Sequence, residues 1–278
     1  MAKVLVLGAT GHVGSPLVSE LVAAREQVKA ASRRATPVAG AEAVRFDYAD
    51  TSTFAAALEG VDRVFVLLPG GYTNPVAHLQ PVIQAAADRK VKVVLQTAIG
   101  VDADDTIPYR QVELFLMRSG TRFVILRPNW FADNFHTFWL AGIKQGVLAV
   151  PAGEGKSSFI DVRDVAASTS AVLRTNRFDG NAFNLTGPTA LSYDEAAAIL
   201  SNVTRRTIRY QPIDDEAFIK MATSGGVPRD YATFLTGIFY PVRQGWTATV
   251  TDDVQSLTGS APRSLETYAA DHAAVLAA

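Results

Sequence analysis

The chain contains no cysteine. That absence excludes disulfides, thiolate nucleophiles, iron–sulfur clusters and cysteine-ligated zinc. Histidine is scarce as well. His12, His78, His136 and His272 lie far apart and show no spacing such as His-Glu-x-x-His, so the sequence predicts no metal site. Neither sign of charge is in excess: 26 Lys and Arg stand against 27 Asp and Glu. This balance argues against a nucleic-acid partner. No run approaches the roughly 18 apolar residues of a membrane span. The segment Met1–Gly8 has too short an apolar core for a signal peptide. A soluble, cytoplasmic protein is expected, without nucleic-acid or membrane partners. The acidic pairs Asp104-Asp105, Asp214-Asp215 and Asp252-Asp253 suit loops and helix starts. No serine stands in a nucleophile-elbow context, so hydrolase chemistry falls away.

What the chain does have is length and apolar content. Its 278 residues, 48% of them hydrophobic, suffice for one large or two modest domains with a sizeable core. In the first two-thirds, short apolar runs alternate with longer helical patterns. Val4–Leu7, Val28–Ala31, Val44–Phe46, Val64–Leu68, Val93–Leu95 and Phe123–Leu126 read as strands covered on both faces. Ser15–Arg25, Thr53–Glu59, Pro75–Asp88 and Val112–Ser119 read as the helices between them. Such alternation predicts an α/β fold, a Rossmann-type doubly wound parallel sheet with right-handed crossovers. Beyond Pro128 the texture changes, with an aromatic-dense stretch and then a glycine-rich one. Phe159–Val162 and Ala182–Leu185 read as further strands around a helix Asp164–Leu173. Asp194–Val203, Asp214–Ala222 and Ser264–Leu276 read as later helices. The expected division is a core of residues 1–130 and 157–187, with a small C-terminal substrate-facing lobe of 131–156 and 188–278.

The loop Gly8-Ala9-Thr10-Gly11-His12-Val13-Gly14 follows the first strand and opens the first helix. There, glycines permit a tight turn, close backbone approach to a pyrophosphate, and close packing of helix on strand. The helix N-terminus then presents N–H groups and a partial positive charge to phosphates. After the second strand, Ser32 leads into Arg33-Arg34, where a site preferring NAD would place an acid. Guanidiniums there suit a 2′-phosphate, Arg33 foremost, so NADP(H) is favoured over NAD(H). Asp47 after the third strand suits the adenine amino group. Leu68 and Pro69 after the fourth strand and Thr97 after the fifth share the same sheet edge. With Pro128 at the end of the sixth run, the candidate cofactor residues are Gly8, Thr10, Gly11, His12, Val13, Gly14, Ser32, Arg33, Arg34, Asp47, Leu68, Pro69, Thr97 and Pro128.

Thr10-Gly11-His12-Val13-Gly14, Ser32-Arg33 and Asp47 resemble the NmrA-like group of atypical short-chain dehydrogenases. Glu113-x-x-x-x-Arg118-Ser119-Gly120, Ile125-Leu126-Arg127-Pro128 and Phe159-Ile160-Asp161-Val162-Arg163-Asp164-Val165-Ala166 extend the resemblance over most of the chain. The resemblance implies a Rossmann core that binds NAD(P)H. It also implies reduction of quinones, triphenylmethane dyes or ergot-type iminium substrates, or else transcriptional co-regulation without chemistry. One departure stands out. Where typical short-chain dehydrogenases carry Tyr-x-x-x-Lys on one helix face, this chain reads Tyr109-Arg110-Gln111-Val112-Glu113. A glutamate there opposes ionisation of the phenol and repels phosphate. Tyr109 is thus a doubtful catalytic acid, and Glu113 a structural or substrate-side carboxylate.

The expected activity is hydride delivery from NADPH to a conjugated acceptor such as a quinone, dye or cyclic imine. Trp130, Phe131, Phe135, Phe138, Tyr240 and Trp246 are candidate stacking walls, with His136 beside them. A helix packed into the core is the competing explanation of the aromatic run. The alternative function is a non-catalytic NADP(H)-binding redox sensor. Nothing in the sequence opposes a homo-oligomer.

Overall fold

In the computed structural model, which describes residues 3–277, the apolar runs form one seven-stranded sheet. Its strands are β1 (Lys3–Leu7), β2 (Gln27–Ser32), β3 (Glu42–Arg45), β4 (Val61–Val66), β5 (Lys92–Gln96), β6 (Phe123–Pro128) and β7 (Ala182–Leu185). Every neighbouring pair is parallel, in the order β3-β2-β1-β4-β5-β6-β7. The order reverses between β1 and β4, and at such a switch point the strand carboxyl ends open a crevice. Val4–Leu7 and Val93–Leu95 are fully buried, as an all-parallel sheet covered on both faces requires.

The helices of this unit are α1 (Gly14–Ala23), α2 (Phe54–Leu58), α3 (Pro75–Ala87), α4 (Pro108–Arg118), α5 (Val162–Leu173) and α6 (Asp253–Thr258). Leu5, Leu7, Val64, Val66, Val93 and Leu95 point to one face, where they meet Leu79, Ile83, Val112 and Leu116 of α3 and α4. Because strand side chains alternate, Val4, Val6, Phe65 and Val94 face the other side. Helix α4 begins four residues before the expected Val112, at Pro108, which needs no N–H partner in a first turn. Tyr109 therefore lies inside the helix.

Residues 3–128, 162–185 and 253–260 make up the sheet unit, and 129–161, 186–252 and 261–277 a second unit. The segment 253–260, read from the sequence as lobe, falls with the sheet. The Asp253 carboxylate accepts from the Asn184 backbone N–H at 2.7 Å, and Val254 and Leu257 are buried.

The second unit pairs Val147–Val150 with Arg209–Pro212 in parallel and Lys156–Ser157 with Leu191–Ser192 antiparallel. The expected strand Phe159–Val162 does not form. Ile160 instead makes one isolated bridge with Phe131, and Val162 opens α5. A capping box of Ser192 and Glu195 starts the helix Tyr193–Thr204. Helices Asp215–Ser224 and Arg229–Arg243 follow, and the expected last helix is broken at His272 into Leu265–Asp271 and Ala273–Ala277. The lobe core holds Phe135, Phe159, Tyr193, Phe239 and Tyr268. Among the described residues no helix is long and apolar enough to cross a membrane.

Candidate functional site

The loop between β1 and α1 is built from backbone. Gly8 has φ of +67°, a left-handed conformation that a side chain would strain. Gly11 donates its N–H to the Gly8 carbonyl at 2.9 Å. A Cβ on Gly14 would lie 2.1 Å from that carbonyl oxygen and 2.9 Å from the Ala9 Cα, so helix and loop touch backbone to backbone. A Cβ on Gly11 would stand 3.2 Å from the Gly8 oxygen, a much milder conflict. Thr10, Gly11 and His12 are exposed, whereas Val13 is buried. The first turn of α1 carries no side-chain cap and no acidic residue. An uncapped N-terminus beside a cradle without side chains suits a pyrophosphate.

Around this loop the strand ends supply the other candidates. Ser32 is occupied in shaping its turn, its hydroxyl accepting from the Thr36 N–H at 2.8 Å. Arg33 and Arg34 are exposed and form no ion pair among the described residues. Asp47 is half-buried, and its Oδ1 accepts from the Ala49 N–H at 3.0 Å. The buried Tyr48, which sequence reasoning passed over, donates its hydroxyl to the Leu67 carbonyl and ties the exits of β3 and β4 together. Burial pushes its phenol far above the ordinary range, so it stays neutral. Leu68 and Pro69 are half-buried after β4, Thr97 follows β5, and the Pro128 carbonyl at the end of β6 accepts from Ile99 at 3.1 Å.

Glu113 is fully buried and held from three sides. Arg127 donates Nε to its Oε1 at 2.9 Å and Nη2 to its Oε2 at 2.7 Å. Thr97 donates its hydroxyl to Oε1 at 2.7 Å, and Arg110 reaches Oε2 at 3.1 Å. Arg127 also reaches Asp102 at 2.5 Å, while Arg110 binds Asp105 at 2.9 Å. The Asp105 hydrogen bond, helped by Glu113, holds the Arg110 pKa above its ordinary value. Of the two roles read for Glu113, burial leaves the structural one. Its charge is matched by Arg127, so the expected repulsion of phosphate is largely cancelled. The lysine is nonetheless missing: Tyr109, half-buried against the sheet core, sits one turn from a carboxylate locked to an arginine.

The aromatic candidates divide within the second unit. Phe135 is fully buried, packed on Trp139 at 5.0 Å and Phe159 at 5.1 Å. It is a core residue and not a wall, because the 3-10 turn Ala132–His136 points it inward. Trp130 is half-buried against Trp139 and Phe239, and Phe131 is half-buried beside Ile160. Phe138, Tyr240 and Trp246 are exposed, the last two edge to face at 5.7 Å. Sequence reasoning missed Asn129. Its amide donates to the Ser158 hydroxyl at 2.6 Å and the Thr247 carbonyl at 2.7 Å, anchoring this segment. His136 hydrogen-bonds Tyr268 and stacks on His272, so histidines remote in sequence are neighbours in the fold.

A glycine cradle and an uncapped helix, set at the switch point of a parallel sheet, define a Rossmann-type dinucleotide-binding protein. The NmrA-like family model matches residues 1–245, and the chain belongs to that family. The chain is 32% identical over 275 residues to the uncharacterized oxidoreductase YesF of Bacillus subtilis, covering 98% of this chain and 95% of that one. It is also 32% identical over 285 residues to an NAD(P)H azoreductase of Xenophilus azovorans, covering 99% of both. Among solved structures it resembles the NADPH-dependent quinone oxidoreductase QOR2 of Escherichia coli complexed with NADPH. That likeness has a TM-score of 0.85 and 22% identity, and it covers 97% of this chain and 99% of that one.

Proposed function

We propose that this chain is an NADPH-dependent reductase that delivers hydride to a conjugated small-molecule acceptor such as a quinone, a dye or a cyclic imine. The observation that carries this reading is Glu113, locked to Arg127 where a lysine would lower the pKa of Tyr109. Without an ionisable tyrosine, alcohol–ketone interconversion loses its acid and base. Acceptors that are already electrophilic need neither, because the product charge is delocalised or an existing cation is neutralised. One relative is named an NAD(P)H azoreductase, and azo dyes are acceptors of the conjugated kind proposed here.

The chain's own residues then have positional tasks. The loop Gly8–Gly14 and the first turn of α1 would hold the pyrophosphate, and Arg33, with Arg34, the 2′-phosphate. Asp47 would accept from the adenine, while Leu68, Pro69, Thr97 and Pro128 line the remaining strand ends. When bound, the dinucleotide supplies the hydride. Phe138, Tyr240 and Trp246 are exposed rings on which a flat acceptor would stack, with the half-buried Trp130 and Phe131 as further candidates. Orientation of this sort contributes up to about 7–11 kcal/mol in favourable cases.

The missing lysine also suits a protein that binds NADP(H) and turns nothing over. One screen separates the two: NADPH consumption by the purified chain with quinones, azo and triphenylmethane dyes, and cyclic imines. Saturable, acceptor-dependent oxidation that Gly11→Val abolishes is expected. Tight NADPH binding with no turnover across the panel would replace the reductase with the sensor.

A further inference from the structure

In the second unit, two short helical segments bring four polar side chains together. Asp133 and His136 stand three residues apart on the 3-10 turn Ala132–His136, whose i and i+3 side chains share a face. Tyr268 and His272 stand four apart, His272 being the C-cap of Leu265–Asp271, so they too share a face. The two faces meet. The His136 and His272 rings stack with centroids 4.4 Å apart and planes 10° from parallel. The Tyr268 hydroxyl hydrogen-bonds His136 Nδ1. One donor atom from each of Asp133, His136 and His272 lies within 4.8 Å of the other two. Asp133 is only 6% exposed, and both imidazoles are half-buried.

From this geometry we propose that Asp133, His136 and His272 bind one divalent transition-metal ion of the zinc, cobalt or nickel class. Two imidazoles and one carboxylate are a donor set that these ions take readily. A tetrahedral centre with bonds of about 2.0–2.1 Å holds its donors roughly 3.4 Å apart. Parallel stacked rings aim their nitrogens along parallel planes, so His272 must rotate out of the stack to share an ion with His136 and Asp133. Tyr268 is the outer partner that fixes the His136 ring, as hydrogen-bonded groups around metal-bound imidazoles do. The ion would displace protons held within the cluster and tie the turn at 132–136 to the last two helices of the chain. Three protein donors leave the fourth position of the tetrahedron to water, and the site stands whether or not the chain is a reductase.

The test is a Co2+ and Zn2+ titration of the full chain without a polyhistidine tag. With no cysteine and only His12 and His78 besides these two histidines, binding is readily assigned. One equivalent per chain is expected, with visible bands of low-symmetry Co2+ and a melting temperature that rises with Zn2+. His272→Ala and His136→Gln should each weaken binding a hundredfold or more. Tyr268→Phe should weaken it about ten- to a hundredfold, and His78→Ala should leave it unchanged. Equal affinity in wild type, His136→Gln and His272→Ala would overturn the site. Should the variants fail to fold, a wild-type chain without Co2+ bands and with a Zn2+-independent melting temperature would overturn it equally.

Discussion

The sheet unit and the aromatic lobe both bury apolar surface, but they leave different things at their edges. In the sheet, Val and Leu fill both faces, and the strand ends present backbone N–H groups and two exposed arginines. In the lobe, Phe135, Trp139, Phe159, Tyr193 and Phe239 interlock by ring edges and faces, while Phe138, Tyr240 and Trp246 remain exposed. A site made of backbone is placed by the topology and tolerates changes in the surrounding side chains. A surface made of aromatic rings shares its residue types with its own core, so composition alone cannot separate wall from filling.

The contrast breaks most sharply at two glycines three residues apart. Gly14→Ala places a methyl 2.1 Å from the Gly8 oxygen, so α1 must lift off the loop. A loss above about 4 kcal/mol is expected, visible as a collapsed thermal transition. Gly11→Val, with only a 3.2 Å contact for its Cβ, should keep the native circular dichroism and lose dinucleotide binding. A Gly14→Ala protein that melts like wild type would show that helix and loop are not locked.

Next in size is Glu113→Ala, which leaves the Arg127 guanidinium buried without its bidentate partner. A destabilisation of about 3–5 kcal/mol is expected in denaturant unfolding. Wild-type stability would mean that water or Asp102 replaces the carboxylate. In the lobe, Ser192→Ala removes one half of a capping box and should cost only about 1 kcal/mol. That corresponds to a drop of roughly 2–4 °C in melting temperature. Smallest of all, Tyr109→Phe should change turnover less than about threefold, against a hundred- to ten-thousandfold for a lost general acid. A collapse of kcat in that variant would restore Tyr109 as the proton donor.

Legibility in the sequence follows the same division. Unbroken apolar runs locate the inner strands because burial on both faces leaves no alternation to misread, whereas the edge strand β3 is largely exposed and is marked only by Val44 and Phe46. The glycine loop is legible because its strand, turn and helix are contiguous. Where contacts are long-range, sequence fails. The pairing of Glu113 with Arg127 joins α4 to β6, and nothing local announces it. The run Phe159–Val162 is apolar enough for a strand, yet it has only a single bridge to pair with, and Val162 is taken by α5. The start of α4 was signalled by Pro108, a better marker there than the apolar period. Phe135 lies buried on a 3-10 turn, whose period of three the aromatic run alone does not reveal.

The exposed arginines after β2 are the proposed readers of the 2′-phosphate, the contact that would favour NADPH over NADH. Fluorescence titration of wild type and Arg33→Ala with NADPH and NADH tests it most directly. A charge-assisted contact contributes about 1.5–3 kcal/mol. NADPH should therefore bind Arg33→Ala roughly ten- to a hundredfold more weakly than wild type, while NADH affinity stays unchanged. Equal losses for both dinucleotides, or none for either, would contradict the account.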